Sequence, residues 1–107
     1  RVAGDLTRPV RRVAVCGGTG DSLLAAANAA GADVYVTSDL KHYAVSDHLA
    51  EGGCAVIDVA HYASEFPWCE HVANRLASTY AASDDNVSVH VSTSVTDPWS
   101  HHLRSQS

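Results

Sequence analysis

The sequence predicts an α/β fold: a mostly parallel sheet with alternating helices, in the order βαβαβαβ. Three observations carry this. Short β-branched runs recur, as in Val13-Ala14-Val15-Cys16, Val34-Tyr35-Val36 and Ala55-Val56-Ile57-Asp58-Val59. Helix-forming stretches rich in alanine and leucine separate them. Glycines stand where each helix should stop, at Gly31 and at Gly52-Gly53. Strands joined through helices lie parallel, with right-handed crossovers.

The elements follow in chain order. Residues 1–12 read as an incoming linker, residues 13–99 as one α/β domain, and residues 100–107 as a tail. Strand one, Val13–Cys16, feeds the turn "GGTGDS". A helix runs from Leu23 to Ala30. Val34–Val36 is the second strand. Thr37-Ser38-Asp39 offers cap chemistry for a helix from about Leu40 to Glu51. Residues 55–59 form the third strand. A third helix runs from about Ser64 to Tyr80, with Val72, Leu76 and Tyr80 recurring on one face. "AASDDN" reads as a turn. Val87, Val89 and Val91 alternate with Ser88, His90 and Ser92, which predicts a fourth strand with one wet face.

Composition excludes several classes. The 107 residues suit one small domain, and 46% hydrophobic with 18% charged residues is ordinary for a globular one. A net charge of −5 argues against a nucleic-acid binder, and Arg8, Arg11 and Arg12 form only a small basic cluster. No apolar run reaches the roughly 20 residues of a membrane span. No signal peptide opens the chain. The cysteines, Cys16, Cys54 and Cys69, are odd in number and contain no C-x-x-C, which argues against a zinc ribbon or a disulfide framework. Cys16 and Cys54 lie in or beside apolar strand-like runs, so reduced, buried thiols in a cytoplasmic protein are expected. The chain has no methionine and begins at Arg1, which reads as a fragment of a longer protein.

Ligands of open α/β sheets bind at the carboxyl ends of the strands. Three such ends are chemically distinctive: Gly17-Gly18-Thr19-Gly20, Thr37-Ser38-Asp39, and His61 after the third strand. If the strands are neighbours, these groups share one edge. The glycine turn lacks the lysine of a phosphate-binding P-loop, and Leu23 stands where a dinucleotide motif needs its third glycine. It reads either as an anion-facing turn or as a tight strand-to-helix turn capped by Asp21 or Ser22. Asp39 reads as a helix cap or as an acid placed to bind a ribose hydroxyl. His42 and His48 read as surface histidines, and His90 as pointing from a wet strand face. His101 and His102, in the polar tail, are weak metal candidates.

His61 and Glu65 are four apart, and imidazole and carboxylate suit divalent zinc, iron or manganese. Pro67 argues against placing both on one helix. Proline favours a helix's first turn, and Phe66 before it is pushed from the α region. His61 is therefore expected at the strand end and Glu65 at or just before the helix start. Two ligands are also too few, since a structural zinc takes four and a catalytic one three plus water.

The run "VAVCGGTGDSLL … GADVYVTSDLKHYAVSDHLAEGG … IDVAHYASE" resembles the carboxy-terminal half of the Ngg-interacting-factor-three (NIF-three) family. Its members have a dinuclear metal centre and carry the name GTP cyclohydrolase 1 type 2. The resemblance covers roughly residues 13 to 99. It includes the glycine turn, the element Thr37-Ser38-Asp39-Leu40-Lys41 and the closing Thr96-Asp97-Pro98-Trp99. Its most specific part is Asp58 to Glu65. The resemblance implies that His61 and Glu65 ligate a site of two divalent metal ions per intact subunit. It also implies that this chain is one half of a two-part α/β protein, that the other ligands come from a missing amino-terminal half, and that the intact protein is a toroidal homo-hexamer. Ser38, where the family usually has glycine, and Tyr43, where a second histidine is common, depart from the pattern.

On that basis Asp58 would orient a ligand. Gly17 and Gly18 would offer N–H donors to an anionic small-molecule substrate, and Asp39 stands as a further contact candidate. The expected function is part of a metal-dependent hydrolase, with this chain alone inactive. The alternatives are a metal-delivery and assembly protein, or a metal-free nucleotide-binding module using Gly17 to Gly20 and Asp39.

Overall fold

A computed structural model of the chain describes residues 1–81, 83 and 86–104. It divides into two compact units, Arg1–Pro67 and Trp68–Ser107. In the first, a four-stranded sheet is built from β1 (Val2–Ala3), β2 (Val13–Thr19), β3 (Val34–Ser38) and β4 (Ala55–Val59). The spatial order is β1-β4-β3-β2. β2, β3 and β4 are parallel neighbours, as the alternating pattern predicts. β1 pairs antiparallel with β4 through Val2↔Ile57 and Ala3↔Val56. The segment read from sequence as linker thus contributes an edge strand, which two residues cannot announce through periodicity.

Helices α1 (Leu24–Ala29) and α2 (His42–Ala50) make the two crossovers. A 3₁₀ turn, Asp21–Leu23, leads into α1. Both helices end at glycines with positive φ, Gly31 at +69° and Gly52 at +78°, the stops read from the sequence. Leu24 and Ala27 of α1 and Leu40 beside α2 meet Tyr35, Cys54 and Val56 in one buried cluster. Ala3, Ala14, Cys16, Ala44 and Val45 pack against it. The strand residues in this list lie on one face of the sheet, so α1 and α2 cover the same side.

A buried polar pair, His48 and Cys54, helps hold this side together. His48, read from sequence as a surface residue, is buried. Its Nε2 lies 2.9 Å from the Cys54 carbonyl oxygen and 3.7 Å from Cys54 Sγ. A helix residue one turn from the end faces the following strand, so the carbonyl gives the imidazole a buried partner. Cys54 is a buried free thiol, as expected, and burial pushes its pKa up. Cys16 is partly buried and Cys69 exposed. Outside the core, Asp33 Oδ2 accepts the backbone N–H groups of Arg11 and Arg12 at 2.8 and 2.9 Å, which fixes the entry into β2. Those two bonds hold the Asp33 carboxyl below the usual carboxylate range.

The third helix, α3, spans His61–Tyr80 and carries Pro67 inside it. The sequence placed its start near Ser64, after His61. The local preference of Phe66-Pro67 is overridden by fastenings in the first turn. Ser64 N–H donates to the Ala60 carbonyl at 2.9 Å. Ser64 Oγ donates to the His61 carbonyl at 2.7 Å and lies 3.1 Å from Ser38 Oγ of β3. Tyr62 and Phe66 stack with ring centroids 5.6 Å apart. Pro67 has no N–H to give the Ala63 carbonyl, and the helix continues past that one missing bond.

In the second unit, α3 is helical as expected, but it buries no residue: Leu76 and Tyr80 remain exposed and Val72 half-buried. Ser78 and Thr79 hydroxyls donate back to the carbonyls of Asn74 and Arg75. The strand expected at Val87, Val89 and Val91 does not form. With no neighbouring strand to complete a ladder, alternation alone leaves that segment irregular. The "AASDDN" turn lies partly outside the described residues. Trp99 N–H donates to Asp97 Oδ1 at 3.0 Å, a local turn within Asp97-Pro98-Trp99.

Gly20 shows how tightly the glycine turn is held. A Cβ there would run into Thr37 Oγ1 and the Tyr35 hydroxyl, both buried. Around Gly17 nothing lies within 4 Å of such a Cβ. Gly20→Ala should therefore destabilise the fold by about 1–3 kcal/mol, the usual cost of overpacking. Gly17→Ala should stay within about 0.5 kcal/mol of the parent. Urea unfolding midpoints check both, and equal midpoints would contradict the packing described.

Candidate metal centre

The three strand ends singled out in the sequence do share one edge of the sheet. β2, β3 and β4 end side by side, with Thr19 opposite Ser38 and Ser38 opposite Val59. The glycine turn, Asp39 and His61 therefore lie together, all within the first unit.

Each position has a local cause. Asp39 follows β3 with φ of +54°, the left-handed region where aspartate is among the few tolerated side chains. It does not cap α2. Lys41 occupies that cap position and receives no side-chain cap bond of its own. Instead, Asp21 Oδ1 accepts the Lys41 N–H at 3.1 Å, and Lys41 Nζ lies 3.5 Å from Asp21 Oδ2. An acid from the glycine turn thus sits at the start of α2, where negative charge is favoured. Asp39 is left to face the edge.

There its Oδ2 lies 2.6 Å from His61 Nδ1 and accepts the Thr19 hydroxyl at 3.3 Å. The other imidazole nitrogen, His61 Nε2, lies 3.2 Å from Glu65 Oε1. Because α3 begins at His61, His61 and Glu65 occupy one helical face, four residues apart. The sequence reading, which put the helix start after His61, missed this. It also missed Thr19 and the Ser38–Ser64 fastening, for which only the shared strand edge was a signal.

The pair is partly open, with side-chain exposures of 41% for His61 and 54% for Glu65. The hydrogen bond that His61 Nδ1–H donates to Asp39, aided by the charges of Glu65 and Asp39, holds the His61 pKa above the usual imidazole range against an opposing effect of burial. The same bond from His61 holds the Asp39 carboxyl below the usual range.

Gly18 completes the site. It has φ of +68°, and a Cβ on it would lie 2.8 Å from Glu65 Oε1 and 3.4 Å from His61 Nε2. Its carbonyl accepts the buried Thr37 hydroxyl at 3.0 Å. The Gly20 carbonyl accepts the Tyr35 hydroxyl at 3.0 Å. β2, read from the sequence as ending at Cys16, thus runs on through Gly17 and Gly18 to Thr19 with its register against β3 shifted after Val15, and this irregular end is held with its backbone beside the imidazole and carboxylate. Gly17 is exposed and clear of neighbours. Asp58 stands apart. Its carboxylate pairs with the Arg1 guanidinium, and its N–H donates to the Arg1 carbonyl at 2.8 Å.

Among the described residues, no group of three or more His, Cys, Asp or Glu side chains is arranged to hold a metal ion. Asp39 engages the far nitrogen of His61, so His61 Nε2 and Glu65 Oε1 remain as two converging donors. Those two fit a divalent ion in kind: a borderline nitrogen and a hard oxygen. The Asp39 bond fixes the tautomer that leaves Nε2 its lone pair, as histidine ligands generally require. The cradle kept clear by Gly18 lies against both donors.

The fold and this edge define a mixed α/β domain with a histidine–carboxylate pair at the carboxyl ends of its parallel strands. Residues 1–98 match the profile of Duf34/NIF3 (NGG1p interacting factor 3), and the chain belongs to that family. A Mycobacterium tuberculosis protein named GTP cyclohydrolase 1 type 2 homolog is 52% identical over 99 residues, which are 92% of this chain and 25% of that protein. A Streptomyces coelicolor protein of the same name is 48% identical over 105 residues, 98% of this chain and 37% of that protein. Among solved structures, a Bacillus cereus protein related to NIF3 superposes with a TM-score of 0.82 at 36% identity, covering 94% of this chain and 27% of that one. A Staphylococcus aureus protein gives 0.84 at 34% identity, with 94% and 32% covered. The chain thus spans between a quarter and just over a third of the curated relatives named above.

The Asp39–His61 pair sets a pH dependence. His61 has a raised folded pKa, so its contribution to stability is full below its unfolded value, about 6.5, and is lost as pH rises through the folded value. Asp39 has a lowered folded pKa, so its contribution is present above about 3.9 and is lost as pH falls through the folded value. The pair therefore supports the fold from the lowered Asp39 value up to the raised His61 value. In the metal-free protein, Asp39→Asn should bring the His61 imidazole down toward its ordinary pKa, read by NMR titration of the ring protons. A titration unchanged by the substitution would contradict the pairing.

Proposed function

We propose that this chain supplies part of a dinuclear metal centre in a metal-dependent hydrolase, with His61 and Glu65 as ligands. The observation that carries the reading is the 3.2 Å approach of His61 Nε2 to Glu65 Oε1, with Nδ1 of the same ring taken by Asp39. Two lone-pair donors this close favour a positive charge between them. Zinc, iron or manganese suits the donor types. Two protein donors fall short of the three or four that such ions take. The remaining donors are assigned to polypeptide outside this chain, the amino-terminal half that the family resemblance implies.

The residues of this chain have separable tasks. His61 would bind through Nε2 and Glu65 through its carboxylate. Asp39, steadied by Thr19, would hold the imidazole in the binding tautomer. Gly18 keeps side-chain bulk out of the space beside the donors, and the exposed backbone at Gly17 is open to an anionic substrate group. Asp58, tied to Arg1, holds the start of β1 against β4. A bound divalent ion supplies a Lewis acid for polarising a substrate oxygen. The relatives' shared name makes GTP the first small-molecule substrate to test. A homo-hexamer and a cytoplasmic location complete the reading; among the described residues no helix is long and apolar enough to cross a membrane.

Metal analysis of the full-length protein tests this. The expected content is two divalent ions per subunit, lost in large part on His61→Ala. Asp39→Asn, which spares both donors, should weaken binding by about 10–100-fold, the usual effect of removing a histidine's hydrogen-bond partner. Metal content unchanged by His61→Ala would refute the assignment. GTP turnover that survives loss of the metal would refute its role in the chemistry.

A further inference from the structure

Two adjacent residues at the end of β3 restrain the same histidine at different points. Asp39 holds its ring, with Oδ2 at 2.6 Å from His61 Nδ1. Ser38 reaches its backbone. Ser38 Oγ lies 3.1 Å from Ser64 Oγ, and the Ser64 hydroxyl donates to the His61 carbonyl at 2.7 Å. The direction of this chain follows from its protons. Each serine hydroxyl has one to give. The Ser64 proton is committed to the His61 carbonyl, so Ser38 donates to Ser64 and not the reverse. Ser38 is 0% exposed, which cuts its hydroxyl off from bulk solvent. A buried hydroxyl left without a partner is costly, so the contact with Ser64 is one the fold has to make.

We propose that Ser38 is a positioning residue for the His61–Glu65 pair: through Ser64 it sets the first turn of α3 on β3, and with it the approach of His61 Nε2 to Glu65 Oε1. The inference rests on the reading of those two residues as metal ligands. The strand register makes the link short, because Ser38 stands opposite Val59, two residues before His61. One helical turn then carries everything that matters. His61 opens α3, Ser64 lies three residues on and Glu65 four. Fixing the His61 carbonyl and the Ser64 side chain therefore fixes the backbone under both donors. A donor pair 3.2 Å apart loses its geometry if that backbone shifts. The turn needs an outside restraint, since Pro67 disfavours helical backbone at Phe66 and leaves the Ala63 carbonyl without its N–H. The Ser38 hydroxyl is committed to Ser64, so it acts on an ion only through that residue.

Two measurements on the full-length protein test this. One is deuterium uptake of the metal-free protein over residues 61–66. The other is zinc affinity, read by competition with a chromogenic chelator. Ser38→Ala is compared with Ala27→Gly, a buried substitution in α1, an element that supplies no donor. Ser38→Ala should speed exchange at the start of α3 and weaken zinc binding about tenfold, the low end of the loss seen when a ligand's support is removed. Ala27→Gly should do neither, even where it lowers the melting temperature as far. Ser64→Ala breaks the same link and strands the Ser38 hydroxyl, so it should weaken zinc at least as much, and it serves as the probe if Ser38→Ala does not fold. Adding Ser38→Ala to Ser64→Ala should cost no further affinity, because the two act as one unit. Additive losses overturn the chain. Unchanged uptake in Ser38→Ala overturns the proposal. So does unchanged zinc affinity in Ser38→Ala while His61→Ala loses zinc, which leaves the chain as a structural fastening alone. Zinc retained by His61→Ala refutes the ligand assignment itself, and the metal role of Ser38 falls with it.

Discussion

The geometry of the site depends on β3. This strand lies between β2 and β4, and the residues at its carboxyl end are almost wholly buried. Its side chains nevertheless include three hydroxyls, from Tyr35, Thr37 and Ser38, which would be costly to bury unpaired. Each finds a partner on a different piece of the site. Tyr35 takes the Gly20 carbonyl, Thr37 the Gly18 carbonyl, and Ser38 the Ser64 hydroxyl at the start of α3. The need to satisfy these groups fixes both the glycine turn and the first turn of α3. Asp39, one residue further, is carried into the left-handed region and meets His61. A single strand thereby brings together a turn from β2 and a helix that follows β4.

Two opposing demands are resolved at the same edge. The glycine turn must approach closely enough to be held by buried hydroxyls, which excludes a side chain at Gly20. It must also leave the imidazole and carboxylate accessible, which excludes one at Gly18. The acids are sorted in the same way. Asp21 is drawn to the start of α2, Asp58 to Arg1 and Asp33 to the backbone before β2, which leaves Asp39 to join Glu65 at the histidine. Charge at this edge is therefore concentrated on His61, Asp39 and Glu65, and the raised His61 and lowered Asp39 pKa values reflect the pairing of those two.

Much of this was legible in the sequence. The β-branched runs and the glycine stops at Gly31 and Gly52 marked β2, α1, β3, α2 and β4. The parallel order put three distinctive strand ends on one edge. The errors came where a local signal competed with a tertiary one. Pro67 spoke against a helix through His61 and Glu65, but Ser38, 26 residues away in sequence from Ser64, holds the helix start in place. Asp39 looked like a cap because Thr-Ser-Asp is cap chemistry, and the actual partner at the start of α2 came from Asp21. His48 read as a surface residue because nothing local shows that Cys54 offers it a buried carbonyl. Val87 to Val91 alternated as a strand should, yet alternation specifies a strand only where a neighbour completes its hydrogen bonds.

The same contrast separates two parts of the first unit. The face under α1 and α2 is closed: its core residues are buried and Tyr35, Thr37 and His48 are paired. The edge at the carboxyl ends of the strands is different in kind: Asp39, His61 and Glu65 pair with one another and stay partly exposed. An aspartate in the left-handed region carries a backbone cost that burial does not explain, because its side chain is not buried. What the conformation achieves is orientation: it turns the Asp39 carboxylate onto His61 Nδ1 and so directs Nε2 toward Glu65. The core thus sets where the strands end, and the strained residue sets how the ring at that end faces.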